Sequence, residues 1–302
     1  MSDTPIDVFI DLPSFPGPVQ AGRLWSHFRK GRESASFEYN KEWLANPHRF
    51  ALEPLLPLAD GTFHTNPGQS VFGAIGDSTP DRWGRILMRR AELARARTAN
   101  ESPHTLSELD YLLRVNDEAR QGALRFSQDG GQSFCAPPGS TPIPPLVNLS
   151  RLLHAADHFC RDDENAEDLR LLLAPGSSLG GARPKASVKD KKGNLCIAKF
   201  PRYDDEYNVV AWEAVALTLA SKAGLQVPRF ELEKITDKDV LIVWRFDRTR
   251  EQRRISYLSA MSMLGARDNE QHSYLEIVDA IRQYGAAPRL SLIHISEPTR
   301  PE

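Results

Sequence analysis

The run Gly176-Ser-Ser-Leu-Gly-Gly-Ala-Arg-Pro-Lys185 is followed by Ala186-Ser-Val188 and then by Leu195-Cys-Ile-Ala-Lys-Phe-Pro201. A loop rich in Gly and Ser thus leads into a strand-like stretch. A polar turn follows, and a second strand carries one lysine, Lys199, among apolar residues. Gly permits close backbone approach to a ligand, and successive backbone N–H groups can cradle phosphate oxygens. A lysine on the neighbouring strand can add a point charge to those phosphates. This is the layout of a kinase-type nucleotide site, not of a Walker-type loop, because no G-x-x-x-x-G-K-[ST] occurs. Glu213, in the helical stretch that follows, is the candidate partner that would position the Lys199 amine. The same residues also suit an ordinary α+β domain with a surface lysine and a surface glutamate, since Gly-rich turns are common.

Two other clusters offer weaker chemistry. From Asp81 onward the chain holds Arg82, Arg85, Arg89, Arg90, Arg95 and Arg97 against Asp81 and Glu92. That stretch reads as a surface for RNA, DNA or an acidic partner, or as a solvated helix face. His154 and His158 stand four apart with Cys160 nearby, which could put metal ligands on one helical face. There is no His-Glu-x-x-His and other ligands are scattered, so a structural or surface role is favoured and no metal site is expected. No Gly-x-Ser-x-Gly elbow points to a serine hydrolase.

The elements that must position these residues follow from periodicity and punctuation. Asp7–Leu12 reads as a strand, and Leu24–Phe28 and Ser34–Tyr39 flank a hairpin turn at Lys30-Gly31-Arg32. Asn40 caps a short helix through Trp43 and Leu44. Thr79-Pro80-Asp81 predicts a helix start capped by the Thr79 hydroxyl, with Trp83, Leu87, Ala91 and Ala94 on one face. A second helix is predicted from Thr105, with Glu108 closing a capping box. Five prolines between Cys135 and Leu146 predict an extended linker and a domain boundary. Helices are expected from Ser150, from Ala166 to Pro175 and over Asn208–Gly224. Hairpins are expected at Ala182–Val188 with Leu195–Phe200 and at Phe230–Ile235 with Val240–Phe246. Ser273 with Glu276 opens a last helix that Gly285 stops.

At 302 residues, 40% hydrophobic and 26% charged, the chain has room for two domains and the composition of a globular protein. A net charge of -2 gives no global field for nucleic acid or anionic lipid. Cys135, Cys160 and Cys196 are an odd set without C-x-x-C spacing, so a disulfide framework is not expected and a reducing cytoplasm fits. No signal-peptide pattern or membrane-length apolar run is visible, so no membrane partner is expected.

Together, Ser178-Leu-Gly-Gly-Ala-Arg-Pro-Lys185, Ile197-Ala-Lys-Phe-Pro201 and Arg245-Phe-Asp-Arg248 resemble the HipA-like serine/threonine kinases of bacterial toxin–antitoxin modules. Tyr39–Leu58, Asp77-Ser-Thr-Pro-Asp-Arg-Trp-Gly-Arg85 and Gly122-Ala-Leu-Arg-Phe126 are similar to that family's N-terminal domain. The resemblance runs in family order over about residues 5 to 288. It implies an α+β fold: a HipA-like N-terminal domain (1–132), a Pro-rich linker (133–148), a kinase small lobe (149–246) and the start of a large lobe (247–289). It implies ATP and Mg2+ as cofactors. Leu179, Gly180, Gly181, Ala182, Arg183 and Lys185 would form the nucleotide loop, with Ser178 autophosphorylated at its mouth. Lys199 would meet ATP phosphates. Trp244, Arg245 and Phe246 would be the hinge that holds adenine through main-chain hydrogen bonds, and Asp247 would support the polar side of the site. Implied partners are a HipB-like antitoxin, DNA only through that antitoxin, and a protein substrate, with an aminoacyl-tRNA synthetase as leading candidate.

The aspartates that such chemistry needs in the large lobe have no counterpart after Phe246, and no His-Arg-Asp or Asp-Phe-Gly occurs anywhere. Residues 290–302 do not continue the family pattern and read as a non-native tail. The expectation is a truncated chain without activity of its own. Two alternatives stand beside it: a non-enzymatic ATP- or partner-binding remnant, and a nucleic-acid-associated factor using the Arg-rich helix.

Overall fold

Two antiparallel sheets organise the chain, which the computed structural model describes over residues 5–136, 142–173, 181–267, 270–285 and 287–288. The first is built from β1 (Ile6–Ile10), β2 (Val19–Arg29) and β3 (Arg32–Tyr39). The β2–β3 turn places Lys30 and Gly31 at φ 50° and 75°. Positive φ at both central residues matches the right-handed strand twist. Asn40 caps α1 (Lys41–Ala45) by accepting from the Glu42 N–H. Then come β4 (Thr62–His64), α2 (Gly73–Gly76), α3 (Arg82–Ala99), α4 (Glu108–Leu113) and β5 (Leu124–Ser127). The sheet order is β4-β3-β2-β1-β5. Ile6, Val8, Phe37, Trp43, Ile75 and Phe126 fill its core.

The second sheet follows a short 3-10 turn at Leu146–Asn148 and two helices, α5 (Leu149–Cys160) and α6 (Ala166–Leu173). It comprises β6 (Lys185–Lys189), β7 (Leu195–Lys199), then, after α7 (Val209–Lys222), β8 (Phe230–Ile235) and β9 (Lys238–Trp244). The order is β6-β7-β9-β8. One face, with Val188, Cys196, Ala198 and Ile242, packs on α3, α5 and α6 through Trp83, Leu87, Leu152 and Phe159. The other, through Leu241 and Val243, packs on Val210 and Ala214 of α7. Two further helices, α8 (Ala260–Leu264) and α9 (Tyr274–Tyr284), follow among the described residues.

The structure corrects several sequence expectations. Asp81, not Thr79, caps α3: its Oδ1 accepts from the Gly84 N–H at 2.7 Å, while the Thr79 hydroxyl donates to Gly76 O. The capping box of α4 is Ser107 with Asp110 rather than Thr105 with Glu108, because two such patterns overlap by two residues. Strand β9 begins at Lys238, so the hairpin turn shrinks to Thr236–Asp237, with Thr236 at φ 56°.

The second core reaches across the boundary expected after residue 132. The apolar face of α3 is buried in the second core, not the first. The far end of the Pro-rich stretch is not a free spacer either. Ile143 is buried with Ala119 and Leu195, and the Lys189 N–H donates to Pro144 O. Residues 137–141 of that linker and the tail 289–302 lie outside the described residues.

A buried arginine seam joins the two halves further. Arg120, fully buried, donates to Ser78 O and Leu112 O at 2.8 Å each. Arg254 reaches Asp117 O at 2.5 Å, and Arg248 reaches Arg120 O at 2.8 Å. Burial pushes the Arg120 guanidinium down to about 10 and that of Arg248 to about 9.

Candidate functional site

Lys199 ends β7 and pairs its Nζ with Glu213 Oε1 of α7. Both side chains stay partly open to water, at 32% and 38%. The helix that supplies Glu213 is fixed at its start by Asn208. That side chain accepts from the Ala211 N–H at 3.0 Å and donates to Asp239 at 2.5 Å. Val210 and Ala214 then seat α7 on the sheet, and Glu213, between them, meets Lys199 at the end of β7. The arrangement presents a tethered, accessible ammonium beside a glycine loop stem, which suits an anionic ligand.

Of the loop residues, Ser178, Leu179 and Gly180 lie outside the described residues. Gly181 has φ 90°, a conformation that a side chain would strain. Ala182 is exposed, and Arg183 is held back by Asp205 at 2.6 Å. Lys185 stands opposite Lys199 across the β6–β7 ladder but does not share its exposure. Its Nζ is buried against Asp81 Oδ2 at 2.6 Å. Burial pushes Lys185 below the usual lysine range and Asp81 above the usual carboxylate range, each opposed by the charge of the other.

The expected hinge is only partly free. The Trp244 N–H donates to Arg229 O and the Arg245 N–H to Leu195 O, so neither is available to adenine. The Trp244 indole donates to Asp190 and lies under the Arg229 guanidinium. Phe246 is 62% exposed, its ring near Tyr257. Arg245 and Asp247 face the first domain. Arg245 donates to Asp247 at 2.6 and 2.7 Å and to Ala119 O, and the Gly122 N–H donates to Asp247 at 2.8 Å. Burial raises the Asp247 pKa, but the Arg245 guanidinium and the Arg248 charge outweigh it and hold the carboxyl below its usual value. Asp247 therefore belongs to the arginine seam rather than lying beside Lys199.

The Arg-rich helix α3 is mostly paired within the molecule. Arg85 makes two bonds to Glu108 at 2.6 and 2.7 Å, Arg90 engages Glu164 and Asp162, and Arg95 engages Glu92 and Glu101. A cleft of about 810 Å³ opens beside its first turns, between Arg82, Arg89, Tyr111, Tyr257 and the Gly181–Ala182 stem. His158 pairs with Asp168, and among the described residues no three His, Cys, Asp or Glu side chains gather as metal ligands. No helix among them is long and apolar enough to cross a membrane.

Sequence reasoning placed Asp81 at a helix start and Trp83 on that helix's apolar face but gave neither a role in the site. It missed Asp117, Arg120 and Arg254 altogether, since nothing local marks a buried long-range ion pair.

Comparison with known proteins gives the chain its relatives. Residues 17–127 match the family model of the HipA N-terminal domain, and residues 177–295 match that of the HipA-like C-terminal domain. Among solved structures, the toxin–antitoxin protein HipA of Shewanella oneidensis MR-1, in complex with HipB and its operator DNA, is similar at 18% identity and a TM-score of 0.49. The match covers 91% of this chain and 60% of that one, so the chain spans about three fifths of its length. A search of curated proteins finds no match. With both domain models matched in order over most of its length, the chain belongs to the HipA family.

Proposed function

We propose that this chain carries the nucleotide-binding part of a HipA-like toxin, a kinase that transfers phosphate from ATP to a protein Ser/Thr hydroxyl. The observation that carries the reading is the Lys199–Glu213 pair, set on β7 of the β6-β7-β9-β8 sheet and on α7, the helix packed against that sheet. Phosphoryl transfer asks a protein chiefly for positioning and charge, and a strand lysine held by a helix glutamate supplies both at the phosphates. In this reading Lys199 holds the phosphates and the loop from Leu179 covers them. ATP arrives with Mg2+, and Ser178 is the residue that accepts phosphate in autophosphorylation. Arg183 and Lys185, tied to Asp205 and Asp81, shape the loop stem. A HipB-like antitoxin is the proposed partner, as HipB is for the Shewanella protein, with DNA reached through it. The proposed substrate is a protein, with an aminoacyl-tRNA synthetase the first to test.

Binding is the measurement to make, because the chain contains no His-Arg-Asp or Asp-Phe-Gly to support turnover. Calorimetric titration with Mg-ATP should show binding to the wild type. Lys199→Ala should weaken it about tenfold or more, since a hydrogen bond to a charged group contributes roughly 1.5–3 kcal/mol. Equal affinity in the two proteins would remove the reading's main support.

A further inference from the structure

Lys185 and Lys199 stand opposite each other on adjacent antiparallel strands, an arrangement in which like charges repel. Each lysine has its own carboxylate. Lys199 has Glu213, and Lys185 has Asp81, which comes from the first domain, 104 residues away in the chain. The side chains of Lys185 and Asp81 are 5% and 4% exposed, so neither charge can turn to water. Lys185 Nζ also donates to Gly181 O at 3.2 Å, which ties the lysine back onto its own loop. The second Asp81 oxygen caps α3 through the Gly84 N–H, so the helix sets the carboxylate's position. Trp83 adds two bonds. Its indole donates to Lys185 O at 2.9 Å and its main-chain N–H donates to Gly181 O at 3.3 Å. Its ring packs edge-on against Phe159 in the second core. The first turn of an 18-residue helix thus grips both ends of Gly181–Lys185.

We propose that Asp81 and Trp83 are positioning residues for the nucleotide site: they clamp the Gly181–Lys185 stem and neutralise Lys185, leaving Lys199 as the cation that meets phosphate. The proposal rests on the nucleotide reading above. It assigns Lys185 to the scaffold rather than to the ligand, and it makes the HipA N-terminal domain a working part of the site.

A double-mutant cycle on Mg-ATP affinity tests it, using Asp81→Asn, Lys185→Met and the double variant in the full chain. Each single variant should weaken binding about tenfold, and the double should lose no more than the worse single, because residues in contact act as a unit. Asp81→Glu should recover part of the loss. Additive losses overturn the clamp. So does tighter binding by Asp81→Asn, which would mean that Lys185 is a phosphate ligand restrained by Asp81. Trp83→Phe keeps a ring in the core and deletes only the indole N–H. It should weaken Mg-ATP about fivefold, the scale of one net hydrogen bond, and serves where Asp81→Asn fails to fold; unchanged affinity overturns the proposal. Lys199→Ala, or a wild type that does not bind Mg-ATP, reports on the nucleotide reading separately. In that event the clamp is judged by amide exchange, which Asp81→Asn or Trp83→Phe must speed over Lys185–Lys189 while leaving β1–β3 unchanged. Unchanged exchange over Lys185–Lys189 overturns it.

Discussion

The Lys185–Asp81 and Lys199–Glu213 pairs lie one strand apart and use the same chemistry, yet only the second is reached by water. A pair held at a few per cent exposure cannot be broken by a ligand without leaving a charge stranded in the interior. Removing one partner of such a pair typically costs about 3–5 kcal/mol. A half-open pair contributes about 0–1 kcal/mol, so a phosphate can share or replace its carboxylate at small cost. The difference teaches that a lysine beside a glycine loop is not thereby a phosphate ligand. Exposure, not proximity in sequence, separates the strut from the ligand group.

The largest expected effect lies in the arginine seam, the extreme case of a closed network. Asp247→Ala would leave Arg245 and Arg248 without their shared carboxylate at side-chain exposures of 1% and 4%. Urea unfolding should show a loss of at least about 3–5 kcal/mol. A loss under 1 kcal/mol would mean that the seam is open to water and the contrast with Lys199 unfounded. Asp81→Ala should come next, with a loss in the same range from a single stranded lysine.

A third buried carboxylate sharpens the comparison because no salt bridge among the described residues reaches it. Glu53, 3% exposed, accepts from the Ala74 N–H at 2.5 Å, and burial and then the neighbouring Asp77 charge push it up to about 7. A raised folded pKa means that the native state holds the proton more tightly than the unfolded chain does. Its contribution is therefore fully present below the ordinary value near 4.5 and is lost as pH rises through about 7. Glu53→Gln should flatten the fall in stability across that window, measured as melting temperature against pH. A variant with the wild-type slope would assign the pH dependence elsewhere. The smallest effect belongs to Glu213→Gln, which should change unfolding free energy by less than about 1 kcal/mol while it weakens Mg-ATP binding. A large loss of stability there would make Lys199–Glu213 a structural pair like the other.

Local signals were legible in the sequence. Asn40 and the Ser273–Glu276 box cap the helices expected of them, because a cap needs only residues within one turn. The hairpins at Lys30-Gly31 and after Ile235 were visible for the same reason, the second with a turn two residues longer than the one that forms. Errors arose where two local patterns competed, as with Thr105–Glu108 and Ser107–Asp110, and backbone geometry decided between them. The clamp and the seam were invisible. They pair Asp81 with Lys185 and Asp117 with Arg254 over more than a hundred residues, and neither partner carries a local mark. The packing across the expected division was not legible either, because α3 buries its face in the core of the other half, which linear composition cannot reveal. For the site itself, Lys199 and Glu213 were named from spacing, whereas Arg245 and Asp247 were named from a resemblance and face the seam instead.

The central claim is that Lys199, the open member of the two lysines, is the cation that meets a nucleotide's phosphates. Its most direct test is calorimetric titration of the full chain with Mg-ATP, comparing wild type, Lys199→Ala and Lys185→Met, with adenosine as the ligand lacking phosphate. The account predicts that Lys199→Ala loses about tenfold or more in affinity for Mg-ATP and none for adenosine. It predicts that Lys185→Met also weakens Mg-ATP, because it loosens the stem of the loop that covers the phosphates, and leaves adenosine binding unchanged. Wild-type Mg-ATP affinity in Lys199→Ala, or a phosphate-dependent loss confined to Lys185→Met, would contradict it.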